Sequence, residues 1–596
     1  MLPGCLLFTN FQTRGQLYHR QNKVVKAITK QKLETVDSMS SNIKEYYDLG
    51  TFQRPIRTNG DDAQTWFNRG LTWSYAFNHE EAASCFDQAI AHDPDCSMAH
   101  WGLAYCLGPN YNKPWEFFDK QELDSILTRG HRAVERARAS ATTAVEKALA
   151  EALQFRYPQM QAEEAKECTP WNKEYADAMR GVYEGFPEDL DVAALFVDAL
   201  MNMTPWALWD IRTGEPTEGA RTLEAKAVLD RALVQEGGTT HPGLLHLYIH
   251  LMEMSNAPET AMTAADYLRG LIPDAGHLNH MPTHLDILCG DYRRAIASNS
   301  DAVRADERFL ARAGALNFYS LYRSHNYHFR IYAAMFAGQS KVAIDTIAQL
   351  EASLPEELLR IESPPMADWL EGFLSMRVHA LIRFGRWQDI LDMELPADPK
   401  LYCVTTAMVH YAKGVALAAT GRIGEAEKEQ GLFTNAVKLV APTRMLFNNT
   451  CVDILAIAGE MLDGELDYRR GNFDAAFEHL QKSITLDDQL PYDEPWGWMQ
   501  PTRHAYGALL LEQGRIEKAI ELYSADLGMD DTLPRALQHP NNVWALHGYH
   551  ECLVKLGRMA EARIIQQQLK MATAIADVPV RSSCLCRLSI DDKVFK

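Results

Sequence analysis

Histidines are concentrated in one part of this chain, at spacings that suit a metal site. Eight of its twenty histidines fall between His241 and His328, in the segments HPGLLHLYIHLMEMS, HLNHMPTH and YRSHNYHF. Imidazole is the commonest metal ligand in proteins, and it also titrates close to neutral pH. The cluster therefore predicts a metal site with acid–base chemistry beside it.

The first segment can aim three polar groups in one direction. Residues three, four or seven positions apart share a face of an α-helix. His246, His250 and Glu253 have these spacings, so one helix presents two imidazoles and a carboxylate together. Glu253 is interpreted as a ligand, a hydrogen-bond partner of a ligand histidine, or a catalytic base. The H-E-x-x-H motif of zinc peptidases is absent, because Leu247 follows His246.

The second segment lies where the helical pattern is interrupted. Pro273, Gly276 and Pro282 predict a non-helical connection that carries His277 and His280. The next helix is predicted to start near Pro282, because proline suits the first position of a helix. The second segment is thus expected to add its histidines from a separate element.

The predicted metal ligands come from three successive elements, which are neighbours in a helical repeat chain. They are His246, His250, His277, His280, His284, His325 and His328. His241 precedes a proline at a predicted helix start and is interpreted as structural. Burying so many imidazoles without a partner for each nitrogen is costly, and a metal would satisfy their lone pairs. A set without cysteine favours iron or copper, with zinc or manganese as alternatives, in a mononuclear or dinuclear site.

The elements that must hold these residues are helices in tandem. Residues 63–96 follow the tetratricopeptide pattern W-x2-L-G-x2-Y…A-x3-F…P, except for Arg69 and Trp73 at its Leu and Tyr positions. The matching residues are Trp66, Gly70, Ala82, Phe86, Ala89 and Pro94. Two antiparallel helices are expected, with Gly70 at their closest approach and Ala82 where they cross. The predicted fold is all-α, a tetratricopeptide-like helical-repeat solenoid.

A turn glycine ahead of an alanine-rich or aromatic helix start recurs along the chain, as expected for repeated helix pairs. It is found at Gly290, Gly338, Gly385, Gly421, Gly471, Gly514 and Gly557. Three regions are predicted: a partly disordered N-terminal leader at 1–54, a solenoid at 55–575 with its histidine-rich centre at 241–330, and a C-terminal tail at 576–596. Cys584 and Cys586 are expected in a flexible tail, and the acidic segment 487–496 is expected to be a solvated loop.

Composition excludes several classes of protein. The net charge is −20 with acidic residues spread along the chain, which argues against nucleic-acid binding. No apolar run is long enough to cross a membrane. The eleven cysteines show no disulfide spacing, so a reducing compartment, the cytoplasm, is predicted. The basic segment 14–32 leaves a mitochondrial targeting signal as an alternative.

The histidine segments resemble a group of tetratricopeptide-type proteins of bacteria and fungi. That group carries YIH-x-x-E-x-S, AGHL-x-HMPSH and HN-x-HF segments, and this chain departs from its wider pattern at Leu245, Thr283, Asp286 and Ser324. Besides the predicted ligands from His246 to His328, the matching residues are Glu253, Ser255, Asn326 and Phe329. The likeness extends to GPN-x-N and PW-x-LW segments. It implies a substrate cleft lined by Asn110, Asn112, Trp206 and Trp209.

The leading hypothesis is a metal-dependent oxidoreductase or oxygenase that acts on a small organic molecule. Glu253 would assist the metal site, and Tyr322 or Tyr327 would contact the substrate. The resemblance to fungal proteins implies a role in natural-product tailoring. The first alternative is a non-catalytic adaptor that binds a protein partner on the solenoid surface. The second is a hydrolase that uses a metal-bound water, and metal storage is a further possibility.

Overall fold

The computed structural model describes residues 46–587. The chain divides into Met1–Asp48 and a compact unit that begins at Leu49, and this second unit contains every helix and strand of the described residues. Most of the predicted leader, including the basic segment 14–32, lies outside the described residues. The same holds for residues 588–596 of the predicted tail.

Helices are the main regular structure of the described residues. The first nine are α1 (Asp61–Tyr75), α2 (His79–His92), α3 (Ser97–Leu107), α4 (Lys120–Ser140), α5 (Ala144–Leu153), α6 (Thr169–Gly185), α7 (Leu190–Met201), α8 (Thr222–Leu233) and α9 (Pro242–Met252). The next nine are α10 (Met262–Leu268), α11 (Gly276–His280), α12 (Pro282–Leu288), α13 (Tyr292–Ala313), α14 (Ser320–Phe336), α15 (Ser340–Ser353), α16 (Glu356–Leu359), α17 (Met366–Leu370) and α18 (Met376–Arg383). The last are α19 (Trp387–Leu391), α20 (Cys403–Ala419), α21 (Ile423–Val437), α22 (Cys451–Arg470), α23 (Phe473–Asp488), α24 (Thr502–Glu512), α25 (Ile516–Asp526), α26 (Val543–Lys555) and α27 (Met559–Thr573).

Shorter elements join these helices. Two strands, β1 (Met445–Leu446) and β2 (Asn449–Thr450), form an antiparallel hairpin. Short 3-10 turns lie at Trp115–Phe117, Gln154–Arg156, Ala165–Cys168, Gly238–Thr240, Pro258–Ala261, Glu371–Ser375 and Arg535–Leu537. The prediction of an all-α helical-repeat solenoid is confirmed.

The predicted repeat at 63–96 is the antiparallel pair α1 and α2. A Cβ atom on Gly70 would lie 2.8 Å from the Phe86 ring, and one on Gly102 of α3 would lie 2.3 Å from it. Ala82 and Phe86 are fully buried. The two glycines therefore let three successive helices close on one aromatic ring, as the sequence pattern predicts for the first pair.

The turn glycines repeat this arrangement along the chain. All seven adopt a left-handed backbone conformation, with φ between 61° and 83°. Glycine is the residue that reaches this region without a steric penalty. The predicted punctuation of the repeats is thus confirmed at Gly290, Gly338, Gly385, Gly421, Gly471, Gly514 and Gly557.

Repeats that are distant in sequence also touch. The indole of Trp544 on α26 donates to the carbonyl of Met335 on α14 at 2.7 Å. Arg212, from the segment that follows α7, donates to the carbonyl of Asp488 at the end of α23 at 3.3 Å. Three loops from different repeats also lie beside α14, through Asn110 and Trp206 near Tyr322 and through Met499 at His328. The loops are residues 108–119, 202–221 and 489–501.

The described part of the predicted tail packs against the last repeats. Ser583 donates to the carbonyl of His504 at 2.8 Å, and Arg587 forms an ion pair with Glu551 at 2.7 Å. Ser582, Ser583, Cys586 and Arg587 are all buried. The expectation of a flexible tail is therefore wrong for 582–587, where Cys584 and Cys586 form a disulfide that the spacing argument did not predict.

Between residues 46 and 587, none of the helices combines the length and apolar character that a membrane crossing requires.

Candidate metal centre

Four helices carry the central histidines. His246 and His250 lie on α9, with Glu253 at its C-terminal cap. His325 lies on α14. The predicted non-helical connection around 276–280 is instead the short helix α11. Because proline suits the first position of a helix, α12 begins at Pro282 almost directly after α11 ends. The predicted helix start at Pro282 is confirmed.

The first group, called the first trio, consists of His246, His250 and His277. One ring nitrogen of each lies within 4.8 Å of the other two, and all three side chains are buried. The Nε2 atoms of His246 and His277 are 3.2 Å apart. The first trio thus directs nitrogen atoms toward one small volume.

Hydrogen bonds determine which ring nitrogen of His246 and of His250 is left to bind a metal. Nδ1 of His246 lies 2.6 Å from the carbonyl oxygen of Tyr75 at the end of α1. A carbonyl only accepts, so Nδ1 carries the proton and Nε2 a lone pair. Nδ1 of His250 lies 2.7 Å from Oε1 of Glu253, and Nε2 of His250 is buried with no partner in the described part of the chain. Outer hydrogen bonds of this kind orient histidines that bind metals.

The second trio consists of His280, His284 and His325, whose ring nitrogens also lie within 4.8 Å of one another. Nε2 of His280 and Nε2 of His284 are 2.8 Å apart. Nδ1 of His280 lies 2.8 Å from Oδ1 of Asn299, whose amide nitrogen already donates to Ala295. Asn299 therefore accepts from His280 and leaves a lone pair on Nε2. Nδ1 of His325 is buried without a partner among the described residues.

Two carboxylates connect the trios. Oε2 of Glu253 lies 2.7 Å from Nδ1 of His284, and Oε2 of Glu494 lies 3.0 Å from the same atom. Because the other oxygen of Glu253 reaches His250, this carboxylate joins one histidine of each trio. The rings of His250 and His284 are 5.7 Å apart between centroids. The two trios form a single buried centre.

Sequence reasoning missed Glu494. The expectation of a solvated loop at 487–496 is wrong, because Asp487, Tyr492, Asp493, Glu494 and Trp496 are all buried. The interleaved tyrosine, tryptophan and prolines of DDQLPYDEPW were the signal for burial. Their contacts turn an acidic segment inward and deliver a carboxylate to the second trio.

Burial holds most of these imidazoles neutral, which is the form that binds a metal. It lowers the pKa of His246 to about 3, against the hydrogen bond to Tyr75. It also takes the pKa values of four further ligand candidates well below the usual range, namely His250, His277, His280 and His325. In His246, His250 and His280 an acceptor also holds the proton on Nδ1, so Nε2 of each neutral ring is ready to bind a cation.

His284 is the exception. Burial acts to lower its pKa, but the charges of Glu253 and Glu494 outweigh burial and raise it to about 10. Burial and the charge of Glu494 raise the pKa of Glu253 well above its ordinary value. In the metal-free protein, a proton on Nε2 of His284 can be donated to His280. A metal in the second trio would replace that proton.

The donor set fits a transition metal. It is made of imidazoles with two carboxylates and contains no cysteine, which suits copper, iron, zinc or manganese. The facing Nε2 atoms of each trio and the unpartnered nitrogens of His250 and His325 are satisfied together if a cation lies among them. The arrangement can therefore hold one metal in each trio.

Strained aromatic residues surround the centre. Phe77, Trp206 and Phe447 have φ of 55°, 52° and 48°, a conformation that bulky residues rarely adopt. The Phe77 ring lies 4.4 Å from that of His246, and the Phe447 ring lies 4.7 Å from that of His325. Backbone strain of this kind concentrates at functional sites, which supports a role for this region beyond packing.

An open cavity reaches the second trio at His325. Its volume is about 720 Å³, part of it open to solvent. The predicted substrate residues Asn112, Trp206 and Tyr322 all line it, and Asn110 lies behind them with Oδ1 at 3.4 Å from the Tyr322 hydroxyl. The remaining lining residues are Phe117, Leu321, Trp369, Met445, Phe447, Asn448, Asp493 and Glu494.

Three predicted site residues lie apart from the trios and from this cavity. Nε2 of His328 faces the sulfur of Met499 at 2.7 Å, because its position on α14 turns it toward the loop before α24. The Trp209 indole donates to the carbonyl of Leu251 at 2.6 Å. Tyr327 is buried beside the charged residues Asp306, Glu307, Arg323 and Arg330.

Comparison with known proteins adds one family match. Residues 63–96 match the tetratricopeptide repeat model, and this segment supplies the Tyr75 carbonyl that orients His246. No curated protein matches the sequence.

Several solved structures are similar to this chain at low identity. The structure of the APC/C hetero-tetramer Cut9–Hcn1 is 14% identical with a TM-score of 0.29, over 85% of this chain and 80% of that one. Yeast Tom70 is 11% identical with a TM-score of 0.24, over 94% and 98%. The tetratricopeptide domain of P58(IPK) is 10% identical with a TM-score of 0.19, over 86% and 98%. The chain therefore contains a tetratricopeptide repeat at residues 63–96, within a longer series of tandem helix pairs.

Proposed function

We propose that this protein is a metal-dependent oxidoreductase with a dinuclear centre, one metal in the first trio and one in the second. The observation that carries the proposal is the pair of buried three-histidine groups, each with ring nitrogens within 4.8 Å of one another. Seven ligands were expected from the sequence. Six of them, without His328, account for the two groups.

Copper suits these groups best, and iron is the second choice. Each trio offers imidazoles alone, whereas non-haem iron sites commonly use two histidines and one carboxylate. Here Glu253 meets the Nδ1 atoms of His250 and His284. A carboxylate in that position orients a ligand and raises its basicity. A bound copper pair would supply electron transfer with dioxygen as the oxidant.

The residues around the centre have distinct roles in this proposal. Glu253 and Glu494 contact Nδ1 of His284 and orient its ring, so that Nε2 faces the second metal position. Asn112, Trp206 and Tyr322 hold a small organic substrate at the mouth of the second trio. A role in natural-product tailoring rests on the resemblance to fungal proteins alone.

A zinc hydrolase is the second candidate function. Three histidines with one open position are a common catalytic zinc site, in which the metal activates water. Glu494 favours this alternative, because it lines the cavity that reaches the second trio and a carboxylate in such a cavity can act as a base. The identity of the bound metal separates the two enzymes.

The adaptor hypothesis rests on the repeat fold itself. Tetratricopeptide-repeat proteins often bind protein partners, and residues 63–96 are such a repeat. An adaptor needs no metal. It therefore makes the opposite prediction for the experiment that follows.

Metal stoichiometry tests the proposal directly. The untagged protein is reconstituted with copper, iron, zinc or manganese in turn, desalted and assayed by elemental analysis. Wild type is expected to hold two copper ions per chain, His246→Ala one, His280→Ala one, and the double variant none. His328→Ala is the matched control, a buried histidine outside both trios, and is expected to keep both ions.

The outcomes separate the candidates. Stoichiometric zinc with no copper or iron supports the hydrolase instead of the oxidoreductase. Absence of any stoichiometric metal from wild type after reconstitution overturns both enzymes and supports the adaptor.

A further inference from the structure

The cavity beside the second trio has flat aromatic walls. The Phe117 ring lies between two tryptophans, 5.9 Å from Trp206 and 6.0 Å from Trp369, with interplanar angles of 28° and 25°. All three rings are only partly buried and line the cavity. Nearly parallel rings at a cavity wall offer their faces to a planar guest.

Two residues with a strained backbone, Trp206 and Phe447, also line this cavity. Trp206 and Phe447 hold their side chains in place from a left-handed backbone, with φ of 52° and 48°. Such a conformation costs free energy and persists where the surroundings require it. The position of these two rings at the cavity is therefore a specific feature of the fold.

The polar end of the cavity accepts hydrogen bonds. Oδ1 of Asn112 is buried without a partner in the described residues, and its backbone N–H donates to Asn110. The amide nitrogen of Asn448 is already engaged, because it donates to the carbonyl of Tyr492 at 3.0 Å. A buried acceptor without a donor costs free energy until a ligand supplies one.

Charge at the polar end selects against anions. Asp493 and Glu494 line the cavity, whereas none of the described residues that line it is lysine or arginine. An anionic group would therefore meet two acidic side chains and no lysine or arginine of the cavity lining, which is unfavourable in a partly buried site. A neutral or cationic donor has no such cost.

We propose that the cavity binds a small aromatic molecule that carries a neutral or cationic hydrogen-bond donor, a phenol or an aromatic amine. Its ring lies against the aromatic wall formed by Trp206, Phe117 and Trp369, and its donor reaches Asn112 at the end that holds His325 and Glu494. This proposal rests on the proposed function for its role, since it names the substrate class of that centre. Binding itself needs no metal, so it is testable separately.

Binding is measured by calorimetry on the full-length protein, both reconstituted with copper and stripped by a chelator. The neutral probe is 4-ethylphenol and the cationic probe is tyramine. Three matched compounds each remove one feature: 4-ethylanisole lacks the donor, 4-ethylcyclohexanol lacks the aromatic ring, and 3-(4-hydroxyphenyl)propionate adds a negative charge. We expect saturable binding of the first two, and binding about tenfold weaker or more for each of the other three.

Variants assign the binding to this cavity. Trp369→Ala and Asn112→Ala are each expected to weaken 4-ethylphenol by about tenfold. Trp387→Ala is the control, a half-buried tryptophan that lines a different cavity, and is expected to leave the affinity unchanged. A circular dichroism melt of each variant separates loss of binding from loss of fold.

Three results would overturn the proposal. The first is that neither 4-ethylphenol nor tyramine binds saturably, and the second is that 3-(4-hydroxyphenyl)propionate binds as tightly as 4-ethylphenol. The third is that the peptide Gly-Gly-Tyr-Gly-Gly binds more tightly than 4-ethylphenol, which would indicate a protein partner. Phenol binding by a chain that takes up no metal supports the cavity proposal and overturns the proposed function. Two bound metals with no phenol binding support the metal centre of the proposed function and overturn the cavity proposal.

Discussion

Nε2 of His280 lies 2.8 Å from Nε2 of His284 inside the buried centre of the protein. The Nδ1 proton of His280 is committed to Asn299, so a lone pair on its Nε2 faces His284. Two lone pairs would repel each other at this distance, so either a proton on Nε2 of His284 or a metal ion must lie between the two nitrogen atoms. The charge state of the second trio is therefore linked to metal occupancy.

Removal of Asn299 should weaken metal binding without removing a ligand. In Asn299→Ala, Nδ1 of His280 loses its closer acceptor and keeps only the hydroxyl of Thr283 at 3.2 Å, so the ring can turn or change tautomer. Loss of such an outer partner typically lowers metal affinity about 10- to 100-fold. The measurement is a copper competition titration with a coloured chelator.

Ser300→Ala on the same helix is the control, because its hydroxyl bonds only to the carbonyl of Ile296 among the described residues. Equal affinity of Asn299→Ala and wild type would contradict the assignment of the Nδ1 proton on His280.

Substitution of Glu253 and of Glu494 should affect copper binding at different positions of the metal centre. Glu253 contacts a histidine of each trio, whereas the metal-centre contact of Glu494 is to His284. Glu253→Gln should therefore weaken copper at both positions, and Glu494→Gln at the second trio alone. The same chelator titration is made in His246→Ala and His280→Ala backgrounds, which isolate one position each. A Glu494→Gln effect at the first trio would contradict this division.

The close packing around Phe86 should make Gly102 intolerant of a side chain. A Cβ atom there would lie 2.3 Å from the ring, and Gly70 presses on the same ring. Gly102→Ala should destabilise the protein by about 1–3 kcal/mol through overpacking. Urea denaturation followed by circular dichroism measures the loss.

Gly431→Ala is the matched control, since Gly431 is also helical and a Cβ atom there meets nothing within 4 Å. Its substitution should stabilise by up to about 1 kcal/mol through helix propensity. Similar losses in both variants would contradict the packing argument.

Stability should fall with rising pH because of Asp487. Burial, followed by the nearby charge of Asp488, raises the pKa of Asp487 from 3.8 to about 7. The folded state therefore holds a proton that the unfolded chain releases, a contribution fully present below pH 3.8 and lost as pH rises through 7.

Asp487→Asn removes this dependence and keeps an oxygen to accept from Trp496. The difference in free energy of unfolding between Asp487→Asn and wild type should shift in favour of the variant by on the order of 2 kcal/mol from pH 5 to pH 8. Urea midpoints at the two pH values measure the change. A constant difference between variant and wild type would contradict the raised pKa.

The sequence alone determined the repeats and most of the histidine set. Glycine at a left-handed turn, and alanine or glycine where helices touch, are local requirements that a single chain displays in its spacing. The spacing of His246, His250 and Glu253 on one helix face is local in the same way. These predictions depend on neighbours within about one helical turn or one helix pair, so they were readable without tertiary structure.

Only the tertiary structure decided how the histidines divide and which groups orient them. The partner of His246 is the carbonyl of Tyr75, 171 residues earlier, and Glu494 reaches His284 from a loop more than 200 residues later. His328 shares a helix with His325 but faces Met499, because packing between distant repeats sets the rotation of α14. Contacts across such separations leave no periodic trace in a sequence, since they depend on how the helix pairs stack.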